Sequence, residues 1–204
     1  MNETPPDIGL SVGTPVLTPT GHVPVEQLAP GTQVLAMSGS SAPFQTVVAV
    51  RRSPYAGPMI RIRADALGDG SPQADLLLPP GHALLLNDAL VAAGALVDGF
   101  GIVEEASGGL VELVQITLAG HDAVLAAGAA VETVRPHPDA PDCAPRRAPD
   151  APLRAMLSWH AEQMGWATRQ VIEDEPVLGT LRERLEAFPL SAALPPLPPF
   201  RDPD

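Results

Sequence analysis

Lysine is absent from this chain of 204 residues, so all 12 of its basic residues are arginine. They are outnumbered by 24 acidic residues, which leaves a formal net charge of -12 at pH 7. Nucleic acids and anionic membrane surfaces are themselves negative, so this charge argues against either of them as the main partner. Aromatic residues make up only 3% of the sequence, against 45% hydrophobic residues in total, so the core must be mainly aliphatic.

Cysteine occurs once, at Cys143, which excludes an intramolecular disulfide and suits a reducing cytosol. The sequence also lacks an uninterrupted apolar run of about 18 residues, the length that a membrane-spanning helix needs. Its first ten residues, MNETPPDIGL, contain neither the basic region nor the apolar run of a signal peptide. We therefore expect no membrane association and favour the cytoplasm as the compartment.

Between residues 9 and 134 the chain contains a series of short runs rich in Val, Leu and Ile, separated by turn residues. Regular spacing of such runs is typical of an all-β sandwich or barrel. We therefore predict a mainly β domain over these residues. The predicted strands are Thr14–Thr18, Gln33–Met37, Gln45–Arg52, Met59–Ala64, Asp75–Leu78, Ala83–Leu86, Ala89–Val91, Gly101–Glu104, Leu110–Leu118 and Ala123–Ala126.

The composition is different on either side of this domain. Residues 1–8 form a polar leader, and residues 135–152, RPHPDAPDCAPRRAPDAP, form a proline-rich linker with little capacity to pack. Residues 153–188 are predicted to hold two short helices as a C-terminal appendage, and residues 189–204 a proline-rich tail. The apolar stripes are Leu153, Met156, Leu157, His160 and Met164 in the first helix, and Leu178, Leu181, Leu185 and Phe188 in the second.

Two such short helices cannot bury their stripes against each other alone, because isolated helices of this length are marginal in water. They must pack on the β domain, on a second copy of the chain or on another protein. Self-association or a protein partner, bound through these helices, is the expectation that follows.

Residues 9–35, GLSVGTPVLTPTGHVPVEQLAPGTQVL, are predicted to form a strand, a turn, a short helical turn, a second turn and a strand. This stretch resembles the opening of a Hint domain, the self-processing fold shared by hedgehog C-terminal domains and inteins. Two further stretches, residues 59–86 and 111–132, are similar to later parts of the same domain and follow in the same order. The matching residues are Gly13-Thr14, Thr18-Pro19, Gly21, Val23 to Glu26, Leu28, Gly31, Val34-Leu35, Arg61-Ile62, Ala64, Ala66 to Gly68, Asp75-Leu76, Pro80, His82, Leu84-Leu85, His121, Leu125, Ala127-Gly128 and Glu132.

The resemblance implies a Hint-like β fold over residues 9–134 and a reaction at the peptide bond before the first residue of the domain. In the family a thiol on that first residue attacks the preceding carbonyl, and a histidine near neutral pKa gives a proton to the leaving amide nitrogen. In this chain His82 occupies the histidine position, but the nucleophile position is Gly9. The hydroxyl expected three residues before the histidine is replaced by Pro79.

The terminal His-Asn pair that inteins use for asparagine cyclisation is replaced by Glu132 and Thr133. We therefore interpret the chain as a catalytically degenerate Hint-like domain that serves as a structural or protein-binding module and is not an enzyme. One alternative is residual self-cleavage by an N-to-O acyl shift, with Ser11 as nucleophile and His82 as general acid. Another alternative makes the C-terminal helices the interaction segment, with the β domain as their carrier.

Each candidate also has a plainer interpretation. With its partners missing, His82 is interpreted as a histidine satisfied by backbone groups, and His121 as a turn residue at the edge of a vestigial site. Cys143 is expected to be an exposed thiol without a partner. The spacing of His82, His121, Asp75 and Asp122 fits no metal-ligand motif, so we predict neither a metal nor a cofactor.

Overall fold

A computed structural model describes residues 8–37, 44–106 and 108–167. The β-strands are β1 (Leu10–Ser11), β2 (Pro15–Thr18), β3 (Gly21–Pro24), β4 (Gln33–Leu35), β5 (Phe44–Thr46), β6 (Ala49–Tyr55), β7 (Met59–Ile62), β8 (Leu76–Leu78), β9 (Ala83–Leu86), β10 (Ala89–Ala92), β11 (Ile102–Glu105), β12 (Val111–Thr117), β13 (Ala123–Ala126) and β14 (Ala129–Glu132). Short 3-10 turns cover Val25–Gln27 and Ala93–Leu96, and one α-helix, α1, covers Ala151–Gln163. The fold is therefore mainly β with a C-terminal helix, as predicted.

The strands form four antiparallel sheets. The largest has the order β10-β9-β14-β13-β2-β3, and two three-stranded sheets have the orders β1-β12-β6 and β11-β7-β8. Strands β4 and β5 form a separate pair. The neighbouring strands in the largest sheet come from both ends of the β region, so its first hairpin packs beside its last.

The core is aliphatic, as the low aromatic content predicts. A single cluster of buried hydrophobic residues joins all the larger sheets, and its largest fully buried members are leucine, isoleucine and valine. Truncating one of these side chains to alanine costs roughly 2–5 kcal/mol in typical cores. Among the largest fully buried side chains of the described residues, His82 is the one that is polar.

Three strands were not predicted from the sequence. Strand β1 has only two residues, and β3 contains a glycine and a proline, which are depleted in strands. Strand β14 has the sequence AAVE, whose alanines have low strand propensity, but it is central in its sheet, between β9 and β13. Tertiary pairing therefore decides the conformation of these segments against local propensity.

Residues 135–149, called the strap from here on, pack on the β domain, although the sequence predicted a segment with little capacity to pack. The N–H of Leu90 donates to the oxygen of Pro145, and the N–H of Arg147 donates to the oxygen of Leu90. Each of these hydrogen bonds has a donor–acceptor distance of 3.0 Å. Arg146 thereby forms a parallel bridge with Leu90 on β10, the edge of the six-stranded sheet. Proline has no main-chain N–H to donate, but its carbonyl still accepts a hydrogen bond. A proline-rich segment can therefore pair with the free main-chain groups of an edge strand.

Helix α1 begins at a capped N-terminus, because Asp150 Oδ1 accepts the N–H of Leu153 over 2.9 Å. Such a cap contributes about 1 kcal/mol. The buried face consists of Leu153, Leu157 and Ala161, and the first two belong to the core cluster, so α1 packs on the β domain. The predicted face was partly wrong, because Met156 and Met164 are each 42% exposed.

The end of α1 is followed by Trp166, whose ring packs against Gly101. A Cβ atom at Gly101 would lie 2.8 Å from the Trp166 ring, so only glycine allows this approach. The guanidinium of Arg63 lies 5.7 Å from the centroid of the same ring, within the range of a cation–π contact.

The second predicted helix and the tail lie outside the described residues, as does most of the leader. Among the described residues, no helix combines the length and the apolar character needed to cross a membrane.

Candidate functional site

His82 is held in a tight turn between β8 and β9. Its N–H donates to the oxygen of Pro79 over 3.0 Å, and its own oxygen accepts the N–H of Ala93 over 2.8 Å. The side chain is directed into the interior and is only 2% exposed. Pro79 thus contributes a carbonyl to the turn and has no hydroxyl to offer to the site.

Both ring nitrogens of His82 contact main-chain groups. The N–H of Gly9 donates to Nδ1 over 3.2 Å, and Nε2 lies 2.9 Å from the oxygen of Glu132. These two contacts fit the neutral ring that carries its proton on Nε2. Burial lowers the pKa of His82, although hydrogen bonds to Glu132 and Gly9 oppose the shift, so the ring is neutral at physiological pH. The oxygen of Gly9, 2.9 Å from Nδ1, would accept from the ring if it gained a second proton.

The peptide bond between Ile8 and Gly9 is held from its other side by Gln115. The Nε2 group of Gln115, on β12, donates to the oxygen of Ile8 over 3.0 Å. The amide nitrogen of this peptide therefore faces an imidazole, and its carbonyl faces a side-chain amide. An amide N–H donor at a carbonyl oxygen is the kind of group that stabilises a developing oxyanion.

Gly9 leaves no room for a side chain. Its φ angle is +152°, and a Cβ atom there would lie 2.9 Å from Cβ of Leu113 and 3.4 Å from the oxygen of Val114. Real Cβ atoms essentially never approach another atom closer than 3.0 Å, so β1 or β12 would have to move. Beside Gly9 and His82 lies a cavity of about 10 Å³, close to the minimum that holds one water molecule.

Ser11 lies on β1, two residues after Gly9, but its side chain is turned to a different contact. Its Oγ atom lies 3.2 Å from Oγ1 of Thr14, and Thr14 Oγ1 donates to the oxygen of Ser11 over 2.7 Å. Within the described ranges no hydrogen bond joins Ser11 to His82, and Ser11 does not line the cavity beside Gly9. The structure therefore brings His82 to Gly9 but does not bring Ser11 to His82.

His121 lies in the connection between β12 and β13 and is deeply buried. Its side chain has no exposed surface, and Nδ1 accepts the N–H of Cys143 over 3.0 Å. Cys143 is half-buried in the strap, so the expectation of an exposed thiol was wrong. Nε2 of His121 lies 3.4 Å from Oε2 of Glu132, and Nδ1 lies 3.4 Å from Oδ1 of Asp142.

Glu132 connects the two histidines. Its main-chain oxygen contacts His82, whereas its buried carboxylate accepts the N–H of Ala83 over 2.6 Å and binds Arg146 over 2.5 Å. Burial raises the pKa of Glu132, but His121 and Arg146 outweigh it and lower the pKa to about 2. Glu132 is therefore an anion that ties the strap to β9 and β14.

The groups around His121 have opposite effects on the protonation of its ring. Burial lowers the pKa of His121, but the Cys143 thiol and the Glu132 carboxylate outweigh it and raise the pKa to about 9. The main-chain N–H of Cys143, in contrast, points at Nδ1 and favours the neutral ring. Nε2 has no hydrogen-bond partner among the described residues, so its contact with Glu132 is an ion pair without hydrogen-bond geometry.

Thr133, which the resemblance predicts to replace the intein asparagine, makes two hydrogen bonds within the fold. Its Oγ1 atom donates to the oxygen of Asp122 and accepts the N–H of Asp122, each over 3.1 Å. In the described part of the chain no three His, Cys, Asp or Glu side chains are arranged to hold a metal ion.

Sequence reasoning missed Gln115 and Arg146. Gln115 lies between Val114 and Ile116 in the buried part of β12, a pattern that indicates a buried polar contact but does not identify its partner. Arg146 lies in a segment whose composition indicated a linker, so the sequence carried no signal for its ion pair.

Comparisons with known proteins agree with the three sequence stretches. A model described as the Hint domain matches residues 8–138, well over half of the chain. A bacterial intein-like domain from Clostridium thermocellum is similar at 17% identity and a TM-score of 0.48, covering 62% of this chain and 98% of that one. The gp41-1 intein is similar at 20% identity and a TM-score of 0.47, over 61% and 97% of the two chains.

A DnaB intein from Synechocystis sp. PCC 6803 is 13% identical, with a TM-score of 0.47 over 62% of this chain and 99% of its own. A search of curated proteins gave no significant match.

Proposed function

We propose that this chain, which belongs to the Hint domain family, is a Hint domain that no longer processes itself and serves as a protein-binding module. The observation that carries the proposal is the backbone contact around Gly9. The peptide bond between Ile8 and Gly9 keeps its histidine and its carbonyl donor, but the atom that would attack it is missing. A Hint reaction needs that atom on the residue after the bond.

Two side chains still bind the peptide bond between Ile8 and Gly9 as a Hint reaction would require. His82 receives the N–H of Gly9 on Nδ1, and Gln115 donates to the oxygen of Ile8. A protonated His82 would be the general acid for the amide nitrogen, and Gln115 would stabilise negative charge on the oxygen. Neither group forms a bond to carbon, so the two alone cannot start an acyl shift.

The close packing at Gly9 indicates that the change is more than the loss of one side chain. The space that a nucleophilic side chain would need is also filled. A Cβ atom at Gly9, directly before β1, would lie 2.9 Å from Cβ of Leu113, so the chain at Gly9 is closer to β12 than a nucleophilic residue permits. The site is therefore packed as part of the sheet. This is the arrangement expected of a site that has become structural.

A binding role is supported by the outer side of α1. Trp159 is 60% exposed and Met156 is 42% exposed, three residues apart, on the side opposite the buried leucines. Aromatic residues and methionine are enriched at protein interfaces. We propose that this side of α1 binds a protein partner or a second copy of the chain.

The first test is the intact mass of the purified full chain, incubated with and without dithiothreitol or hydroxylamine. We expect the mass to stay at 21.2 kDa, because no acyl intermediate forms that these nucleophiles could cleave. A product that begins at Gly9 or Ser11 would overturn the proposal. If such a product appears and is lost in Ser11→Ala but not in Thr20→Ala, the alternative route through Ser11 and His82 is correct.

The second test addresses binding. If the chain binds a second copy of itself, light scattering should give a mass above that of a monomer for the wild-type chain. If it binds another protein, that protein should co-purify with the wild-type chain. The double change Met156→Ala and Trp159→Ala should remove that association. The matched control is Glu162→Ala, an exposed change on the same helix, which should leave the association intact.

A further inference from the structure

A cleft lies between helix α1 and the segment that joins β10 to β11, and it has a volume of about 200 Å³. Residues 95–98 form one wall, and Pro149 with the α1 residues Arg154, Leu157 and Ser158 forms the other. This volume is below the roughly 300–1,000 Å³ that is typical of sites for drug-sized ligands, so the cleft suits a smaller molecule. It shares no lining residue with the candidate site described above.

The deeper part of the cleft is aliphatic. Leu96 and Leu157 line it and are each 3% exposed, whereas Val97 lies nearer to the solvent and is 38% exposed. A ligand with an aliphatic group would bury that group against these side chains, which is favourable because apolar surface leaves water. The cleft therefore favours a ligand that carries an aliphatic group.

The two walls carry charges of opposite sign. Asp98 lies on the segment before β11, Arg154 lies on α1, and within the described residues no ion pair joins the two. Each charge is held in place by main-chain groups. Oδ1 of Asp98 accepts the N–H of Phe100 over 2.7 Å and the N–H of Ile102 over 2.9 Å, and Nε of Arg154 donates to the oxygen of Pro149 over 3.3 Å.

Several polar atoms in the cleft are left for a ligand. Oδ2 of Asp98, the two Nη groups of Arg154 and the hydroxyl of Ser158 make no hydrogen bond to the described residues. Ser158 lies four residues after Arg154, so the two side chains share one side of α1. An anion alone would meet the Asp98 carboxylate, and a cation alone would meet the Arg154 guanidinium. The pair of charges therefore favours a ligand that carries both signs.

We propose that this cleft is a binding site for a small aliphatic α-amino acid in its zwitterionic form. The ligand carboxylate binds the Nη groups of Arg154 and the hydroxyl of Ser158, and the ligand ammonium group binds Oδ2 of Asp98. The aliphatic side chain packs on the two buried leucines of the cleft. This site does not rest on the function proposed above.

The test is a titration of the isotope-labelled full chain with L-leucine at neutral pH, followed by two-dimensional NMR of the main-chain N–H groups. We expect saturable shifts confined to the signals of residues 95–98 and 154–158, with a dissociation constant on the order of 1 mM. N-acetyl-L-leucine, which lacks the ammonium group, and L-leucinamide, which lacks the carboxylate, should each bind about three to ten times more weakly. The absence of saturable shifts at these residues would overturn the proposal.

Two variants test the role of each charge. Arg154→Gln should weaken the binding of L-leucine and of N-acetyl-L-leucine about three- to tenfold but leave that of L-leucinamide unchanged. Asp98→Asn, which keeps Oδ1 as acceptor for Phe100 and Ile102, should weaken L-leucine and L-leucinamide to a similar extent but leave N-acetyl-L-leucine unchanged. Arg147→Gln removes the same charge outside the cleft and should change none of the three.

Equal binding of the three ligands, or equal effects of Arg154→Gln and Arg147→Gln, would show that the proposal is wrong. If Asp98→Asn does not fold, the comparison of the three ligands on the wild-type chain decides. The double change Met156→Ala and Trp159→Ala should leave the binding of L-leucine intact. Failure of this site can therefore be distinguished from failure of the proposed protein-binding surface.

Discussion

Gly9 and His82 are 73 residues apart in the sequence, but the N–H of Gly9 donates to Nδ1 of His82 over 3.2 Å. The same ring reaches the oxygen of Glu132 through Nε2. The imidazole of His82 thus joins the residue before β1, the turn before β9 and the end of β14, and both contacts are to main-chain groups. His82 therefore has a structural role that does not depend on catalysis.

The first prediction concerns the contact between Gly9 and Leu113. Gly9→Ala should lower the free energy of unfolding by about 1–3 kcal/mol, because the new methyl group overlaps Cβ of Leu113. Gly120→Ala is the matched control, since no atom lies within 4 Å of a Cβ at that position, and it should cost much less. Chemical denaturation of both variants measures the difference. Equal losses in the two variants would contradict the close packing of β1 on β12.

The same contact predicts that a nucleophile alone cannot restore the reaction. Gly9→Cys should be destabilised like Gly9→Ala and should give no hydroxylamine-sensitive product. Detection of a thioester by mass in this variant would show that β1 moves aside easily.

The second prediction concerns the ion pair of Arg146 and Glu132. Arg146→Ala should lower the free energy of unfolding by about 1–3 kcal/mol, because the buried carboxylate loses one partner but keeps Ala83 and His121. Limited proteolysis should then cut the strap faster than in the wild type. Arg147→Ala is the control, since Arg147 binds Leu90 through its main-chain N–H. Similar cleavage in both variants would show that the ion pair does not hold the strap.

The third prediction is a loss of stability in acid. The pKa of Glu132 falls from 4.5 to about 2 on folding, so its contribution is complete above pH 4.5 and disappears as the pH falls toward 2. This difference corresponds to about 3 kcal/mol. The lowered pKa of buried His82 acts in the same direction, beginning below its ordinary value of 6.5, because only the unfolded chain takes up that proton readily. Denaturation at a series of pH values should show a smaller acid loss in Glu132→Gln than in the wild type.

The fourth prediction is a loss of stability in alkali. The pKa of His121 rises from 6.5 to about 9 on folding, so its contribution is present below pH 6.5 and is lost as the pH rises toward 9. Together with His82, this places maximum stability near pH 6.5. Titration of the His121 ring by NMR measures the shift directly. A ring that titrates at or below its ordinary value would show that the Cys143 N–H keeps it neutral.

The fifth prediction concerns the contact between Gly101 and Trp166. Gly101→Ala should displace the indole ring, because the new Cβ would lie 2.8 Å from it. We expect a red shift of tryptophan fluorescence and a loss of about 1–3 kcal/mol in stability. Gly108→Ala, with no atom within 4 Å of its Cβ, should leave both unchanged. An unchanged spectrum in Gly101→Ala would mean that Trp166 does not depend on this contact.

Much of the β domain could be predicted because its strands carry local signals. The runs that became β7 and β9, for example, are apolar, short and bounded by turn residues, and His82 stood out within a motif. The contacts of Gln115, Glu132 and Arg146 could not be predicted in this way. They join residues far apart in sequence, and a charge or an amide in the chain says nothing about which buried group it will meet. The proline content of the strap led to the wrong prediction of a segment that does not pack. Proline lacks a main-chain N–H donor but keeps its carbonyl acceptor, and the strap binds Leu90 partly through the carbonyl of Pro145.

The parallel bridge between Arg146 and Leu90 has a consequence for how much of the chain folds as one cooperative unit. The Hint family match ends at residue 138, but β10 is closed by residues 145–147, and Leu153 and Leu157 complete the core. A chain that stops at residue 138 would present an unpaired strand edge beside an uncovered apolar surface, the combination that promotes intermolecular sheet formation. The smallest piece that resists aggregation should therefore extend through α1, past the end of the family match.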